Sequence, residues 1–429
     1  MKRIIVFLVL PVLSCIEEVD VFIGSNAEAQ GILVVQALIT DEVAFQEVTL
    51  SRLDSITDLE IDSVFNPFVP VRDIERDLVP YEENATVTIE ASDGTVYTFT
   101  EPESGRYRSA NPFAAQAGRS YRLRILTSSG DEFISDEMHI EGAARIENVA
   151  TERIISENGV EGVGIFVANE SIQGNTANLR FTYDETYKII APSWVQLEYE
   201  LTDYDPCALP VVTYNLERIP REEEARVCFR TESSNMVILN DTDLGDNNLE
   251  RFMVRFISKE NYIIANRYSI EIQQLVTSSE AFGFYEQLRN FSQNESIFSA
   301  VQPGFLEGNI TALNSGNAIG FFEVASMSRA RLFFNFDEVF PNEPFPEYPI
   351  SCNPQSSPES HASFCAPGLG GGSCPLSVIE QVDLDLIAYV GMNSSEIGTC
   401  PGPDIYVAKP CGDCRVWGSN VVPEFWIEE

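Results

Sequence analysis

Apolar and polar residues alternate with a period of two along much of the chain after residue 31, which is the pattern of half-buried strands. Ile32 to Ile39 and Val48 to Leu53 open the pattern, and Val87 and Ile89 share one face of residues 85–90. Asp93-Gly94 is a hairpin signal leading into Val96 to Phe99. Tyr121, Leu123 and Ile125 alternate again before Ser129-Gly130 turns into Phe133 to Ile140. Short strands with turns about every ten residues predict a β-sandwich of immunoglobulin or fibronectin type over residues 31–142. Residues 57–80 break the rhythm with Asn66-Pro67, Pro70 and Pro80, and read as a long loop.

A second β-sandwich domain is predicted over residues 143–345. Its strand candidates are Val163 to Val167, Leu179 to Ile190, Val195 to Leu201, Ala225 to Arg230, Phe252 to Ile257 and Tyr268 to Leu275. Strand patterns return at Ala318 to Ala325 and Arg331 to Phe336. One short helix, near 278–291, is predicted from the capping-box pattern Thr277-Ser278-Ser279-Glu280. Phe284, Tyr285, Leu288 and Phe291 then fall on one helical face, as core residues do. Residues 346–429 read as a cysteine-rich module packed on the second domain, with Trp417, Phe425 and Trp426 available for the packing.

The start of the chain has a different pattern. Lys2 and Arg3 precede an apolar run from Ile4 to Leu13, interrupted by Pro11. Ten helical residues rise about 15 Å, roughly half a bilayer core, which suits a secretory signal over residues 1–14 better than a span. The run ends Val12-Leu13-Ser14-Cys15, which resembles a bacterial lipobox, although Leu13 stands where a smaller residue is usual. That resemblance implies cleavage before Cys15 and lipid on its sulfur. An ordinary signal peptide with an incidental cysteine is the competing reading. Residues 15–30 form a tether whose Glu17, Glu18 and Asp20 resemble a surface-export signal, and a plain solvated linker is similar.

Composition narrows the partners. The 429 residues are 44% hydrophobic, enough for large cores. A formal charge of −39 excludes nucleic acid, because no excess of cations is available to neutralise phosphates. Setting Cys15 aside, eight cysteines remain: Cys207, Cys228, Cys352, Cys365, Cys374, Cys400, Cys411 and Cys414. An even number agrees with export and disulfides. Cys207 and Cys228 are expected to close one local loop, and the last six to staple the C-terminal module in a pairing left open. Cys411-Gly-Asp-Cys414 has redox-motif spacing, but Pro410 and Gly412 do not fit a strand-to-helix setting. Zinc on His361 and Cys365 is a further alternative.

The segments LVVQALITDE (33–42), ATVTIEASDGTVYTFTE (85–101) and GRSYRLRILTSSGDEFIS (118–135) occur in that order. They are followed by FTYDETYKI (181–189), SEAFGFYEQL (279–288), SIFSAVQPGFLEGNI (296–310), IGFFEVASMSRARLFF (319–334) and CGDCRVWGSNVVPEFW (411–426). Together these resemble a lipoprotein family of unknown function from Bacteroidota, domain of unknown function 4249. Phe181 and Tyr187 stand where that family commonly has Trp. The resemblance implies an outer-membrane lipoprotein, often encoded beside a TonB-dependent transporter of the SusC type. It carries over no catalytic residue.

The residues themselves show little chemistry. The two histidines are His139 and His361, and nucleophile-elbow, zincin, P-loop and dinucleotide fingerprints are absent. With 66 acids, no carboxylate pair can be singled out. Asp241, Asp243 and Asp246 place oxygen ligands as a calcium site would, but Gly245 occupies an EF-hand ligand position, and a polar hairpin loop competes. Asp54-Ser55-Ile56 and Asp62-Ser63-Val64 resemble short O-glycosylation signals on Ser55 and Ser63. The expectation is a non-enzymatic lipoprotein without a cofactor, calcium aside. It is anchored in the outer membrane through Cys15, faces outward, and acts as accessory to a TonB-dependent barrel. A stand-alone adhesin or glycan-binding lipoprotein is the alternative.

Overall fold

The period-two pattern appears in three dimensions as alternating burial. A computed structural model describes residues 31–53, 80–170, 172–174, 178–206, 208, 210–241, 251–293, 306, 308–359, 377–398 and 401–428. In β1 (Ile32–Thr40), Leu33, Val35, Ala37 and Ile39 turn inward. β2 (Glu47–Leu53) pairs antiparallel with β1 and adds Val48 and Leu50. β3 (Thr86–Ala91), β4 (Val96–Glu103), β5 (Arg106–Ser109), β6 (Ser120–Leu126) and β7 (Glu132–Ser135) complete the unit. They are hydrogen-bonded in the order β1-β2-β5-β4-β3-β6-β7. A register shift between Thr100 and Glu103 bends the sheet back over itself. Val87, Ile89, Leu123 and Ile125 thereby join Leu33, Val35 and Leu50 in one core.

The second sandwich sets a three-stranded sheet against a larger one. β8 (Ile146–Ile155), β9 (Glu161–Asn169), β10 (Asn178–Ile190), β11 (Leu197–Asp205), β12 (Thr213–Pro220), β13 (Val227–Ser233), β14 (Phe252–Ser258) and β15 (Tyr268–Val276) follow in sequence. β8-β9-β14 form the small sheet, and β13-β10-β15 belong to the large one. Val163, Ile165 and Val167 from β9 meet Phe181, Ile270 and Ile272 between them. β12 was not among the expected strands, because Glu217 and Arg218 interrupt its apolar alternation.

One strand belongs to both sandwiches. In the 17 residues of β16 (Ala318–Phe334), residues 318–325 pair parallel with β1, and residues 326–334 pair antiparallel with β15. The tandem β-sandwich architecture therefore contains a continuous 14-stranded sheet. Phe321, Phe322 and Val324 enter the first core, whereas Leu332 and Phe334 enter the second.

The curled first sheet is sealed against β16 by a side chain imitating a strand. The Asn309 Nδ2 donates to the Phe322 carbonyl at 2.9 Å, and its Oδ1 accepts from the Phe322 N–H at 2.8 Å. Backbone passes so close here that a Cβ on Gly308 would lie 1.6 Å from the Gly320 carbonyl oxygen. A Cβ on Gly320, at φ +142°, would lie 1.9 Å from the Val35 carbonyl oxygen.

Where β16 changes partners, a charge is buried. Glu323 is 1% exposed and accepts from Arg180 Nη2 at 2.5 Å and from Thr277 Oγ1 at 2.5 Å. Burial works against the Arg180 charge, but Glu323 outweighs it and raises the guanidinium pKa. Tyr285 lies over the same guanidinium, 4.2 Å from ring centroid to Cζ. Tyr285 belongs to α1 (Ser279–Gln293), whose Ala281 and Phe284 pack into the first core. The predicted helix is present, but its cap is Ser278, whose Oγ accepts from the Ala281 N–H. Thr277 is diverted to Glu323. Of the aromatic stripe, Phe284 is core and Phe291 is 39% exposed.

After the four-residue α2 (Phe336–Val339), the C-terminal module holds α3 (Val378–Asp383), the hairpin β17 (Ile387–Met392) and β18 (Asp404–Ala408), and α4 (Lys409–Gly412). It docks on β11 and β12. Tyr199 packs edge-to-face on Tyr389, and Arg218 donates to Asp404 at 2.8 Å and to Glu359 at 2.6 Å. Trp426 packs against Phe229 and Phe333, and Arg331 stacks on Phe425. No helix among the described residues is long and apolar enough to cross a membrane.

Removing one member of the buried pair strands the other. Glu323→Ala is expected to lower the unfolding free energy by about 3–5 kcal/mol in urea titrations. The apolar double variant Arg180→Met/Glu323→Leu should recover most of that loss.

Candidate functional site

Alternation in FTYDETYKI sends odd-numbered residues of β10 toward the second core, which places a carboxylate between two tyrosines. Tyr183, Glu185 and Tyr187 are all buried. Arg255, arriving from β14 on the opposite sheet, donates Nε to Glu185 Oε2 at 3.1 Å and Nη2 to Oε1 at 3.0 Å. Tyr268 on β15 adds its hydroxyl to Oε2 at 2.6 Å. Burial opposes the Arg255 charge, but Glu185 more than compensates and raises its pKa. Burial and the Glu185 charge together hold the Tyr268 phenol well above its ordinary range.

This ion pair closes one end of the sandwich core and forms the floor of an open groove of about 790 Å3. β13 contributes Arg230, Thr231 and Glu232, and Arg415 to Gly418 form a wall beside it. That wall belongs to the C-terminal module. Phe229 and Ser419 exchange backbone hydrogen bonds at 2.8 and 2.9 Å, extending the sheet by a single bridge.

Two disulfides hold the wall. Cys228 on β13 is joined to Cys414, and Cys352 to Cys411. The two cysteines of Cys411-Gly-Asp-Cys414 thus have separate partners, so the motif is a staple and not a redox couple. The expected local loop between Cys207 and Cys228 is corrected: Cys228 points into the second core, where Cys414 arrives from 186 residues away. Loop-closure entropy rises only slowly with length, so proximity in sequence was a poor guide to the pairing.

Between the two cysteines, Asp413 is a buried anion with three cations. Arg415 donates to it at 2.9 and 2.7 Å, Arg221 approaches to 3.4 Å and Lys409 to 3.7 Å. Burial alone would raise its pKa, but the Arg415 hydrogen bonds and the Lys409 and Arg415 charges lower it. The Asp413 and Arg221 side chains are each 2% exposed. Motif scanning draws attention to the cysteines and passes over Asp413. The usable signal was an acid inside the Cys-x-x-Cys loop, followed at once by Arg415.

The remaining predicted residues are spread out. Asp241 ends a short strand over Ile238–Asp241 that pairs with β10, while Asp243 and Asp246 lie outside the described residues. Cys15, Ser55, Ser63, Cys207, His361, Cys365, Cys374 and Cys400 also lie outside them. His139 sits at the end of the first unit, 3.0 Å from Glu141. Among the described residues, no group of three or more His, Cys, Asp or Glu side chains is placed to hold a metal ion.

Fold and groove define a disulfide-stapled double β-sandwich with an open groove between a sheet and the C-terminal module. The family described as "Domain of unknown function (DUF4249)" matches residues 16–331, and the chain belongs to it. A search of curated proteins found no match. The family's match stops before the disulfide module, so the Arg415–Gly418 wall lies beyond it.

Opening the Cys228–Cys414 bridge by Cys228→Ser is expected to lower stability by about 2–4 kcal/mol in denaturant titrations. Asp413 has a folded pKa below the unfolded value of about 3.9. Its contribution is therefore full above that value and is lost as pH falls through the lowered one. The difference in Tm between the native chain and Asp413→Asn should hold from about pH 7 to about pH 5, and shrink toward about pH 2.

Proposed function

We propose that the chain is an exported, lipid-anchored and non-catalytic protein of the outer membrane. In this reading it faces the cell exterior and serves a TonB-dependent transporter of the SusC type, by capturing its ligand or covering the barrel mouth. The observation that carries the export reading is the pair of disulfides, a type of bond that persists in oxidising compartments. The basic start, short apolar run and Cys15 supply an export signal with a lipid acceptor. The lipoprotein resemblance drawn from the sequence implies the same address.

A binding role is favoured over hydrolysis by the state of the groove's acids. Both oxygens of Glu185 are taken by Arg255 and Tyr268, and Glu232 is paired with Arg230 at 2.6 Å. Neither carboxylate is poised to take a proton from a water or to give one to a leaving group.

Two measurements bear on the proposal separately. Radioactive palmitate should label the native chain and leave Cys15→Ala unlabelled; label retained in Cys15→Ala would overturn the anchor. Affinity purification from detergent-solubilised membranes should return an outer-membrane barrel. Repeated purifications without one would overturn the partnership.

A further inference from the structure

The groove beside Glu185 concentrates guanidiniums in a chain of formal charge −39. Arg230, Arg255 and Arg415 line it, against Glu185 and Glu232. The three guanidiniums differ in what they have left to donate. Arg415 has all three nitrogens engaged, Nε and Nη2 on Asp413 and Nη1 on Glu223 at 2.9 Å. Arg255 commits Nε and Nη2 to Glu185, and its Nη1 has no hydrogen-bond partner among the described residues. Arg230 gives Nη2 to Glu232 and a long 3.5 Å contact from Nη1 to the Trp417 carbonyl, which leaves Nε. The Arg255 and Arg230 side chains are 21% and 30% exposed, so these nitrogens meet solvent in the groove.

Two further donors line the same space. The Tyr183 hydroxyl and the exposed Asn235 side-chain amide have no hydrogen-bond partner among the described residues. The nearby carboxylates are engaged, so donors outnumber free acceptors. Such a surplus suits an oxyanion, and a guanidinium favours a planar one. Arg415 is offset by Asp413 and Glu223, and Arg230 and Arg255 by Glu232 and Glu185, so the spare donors suit a singly charged carboxylate better than a dianionic phosphate. At physiological salt, screening confines the surrounding negative field to about 8 Å, so the groove's own donors decide binding. A space of about 790 Å3 is of the size that holds a small organic ligand.

We propose that this groove binds a small organic ligand through a carboxylate group. Arg255 and Arg230 hold the carboxylate, Tyr183 and Asn235 donate to it, and Trp417 lies alongside the rest of the ligand. This deepens the capture reading above and rests on it.

The test uses the purified, detergent-solubilised full chain in titration calorimetry. The probes are N-acetylphenylalanine, its uncharged amide and inorganic phosphate. The acid should bind saturably, with the amide and phosphate each about tenfold weaker or worse. Arg230→Gln should weaken the acid about tenfold, and Asn235→Ala should weaken it measurably; both positions are on the rim, so Tm should not move. The assignment is overturned by equal affinity for acid and amide, by tighter phosphate binding, or by no saturable acid binding up to about 20 mM. It is also overturned if both folded variants bind as the native chain does. A barrel that co-purifies while the groove stays empty would sink this site and leave the partnership standing; binding without a barrel would do the reverse.

Discussion

Everything in this molecule depends on one strand being asked to serve two cores. β16 gives Phe321, Phe322 and Val324 to the first sandwich and Leu332 and Phe334 to the second, changing hydrogen-bond partners between Ala325 and Ser326. A strand that changes neighbours halfway leaves polar groups to be satisfied at the crossing, and buried polar groups are costly unless paired. Asp41 takes the Met327 N–H and the Ser326 hydroxyl there, and beside it Glu323, Arg180, Thr277 and Tyr285 satisfy one another. The same crossing brings α1, which follows the second sandwich in sequence, onto the core of the first. The two units therefore share one hydrogen-bonded sheet, and their relative position follows from the register of a single strand.

The C-terminal module is attached by other means. It adds small hydrophobic clusters, around Val378, Ile387 and Tyr406 and around Ala388, Val407 and Cys411, and so relies on covalent and ionic fastening. Small units with little core are where disulfides matter most. Cys228–Cys414 fixes the wall of the groove to β13, Asp413 gathers Arg221, Lys409 and Arg415 beneath it, and Trp426 covers Phe229. The groove is thus a consequence of the stapling: its floor is an ion pair between the two sheets, and its wall is a loop held by a disulfide.

Much of this was legible in the residue order. Strands with clean alternation, such as 85–90 and 121–125, were readable because period two has one structural meaning over a short run. Hairpin signals at Asp93-Gly94 and Ser129-Gly130 were equally direct, and turns occupy both positions. What sequence did not reveal was long-range. The parallel pairing of β1 with β16 joins residues almost three hundred positions apart, and no local pattern encodes it. Disulfide partners and the role of Glu185 were hidden for the same reason, since each depends on a neighbour far along the chain. The segments that carry the family resemblance are better understood now. Asn309, Gly320 and Glu323 close and pin the shared strand, and Glu185 sits at the floor of the groove, whose Asp413 and Trp417 wall lies beyond the family's match.

The central claim is that the Cys-x-x-Cys loop is divided between two covalent partners and so clamps the C-terminal module to the second sandwich. Peptide mapping by mass spectrometry, on non-reduced protein alkylated before digestion, tests it directly. The account predicts cross-linked peptides joining Cys228 to Cys414 and Cys352 to Cys411. A Cys411–Cys414 bridge, or alkylated Cys228 and Cys414 in protein prepared from its native compartment, would contradict it.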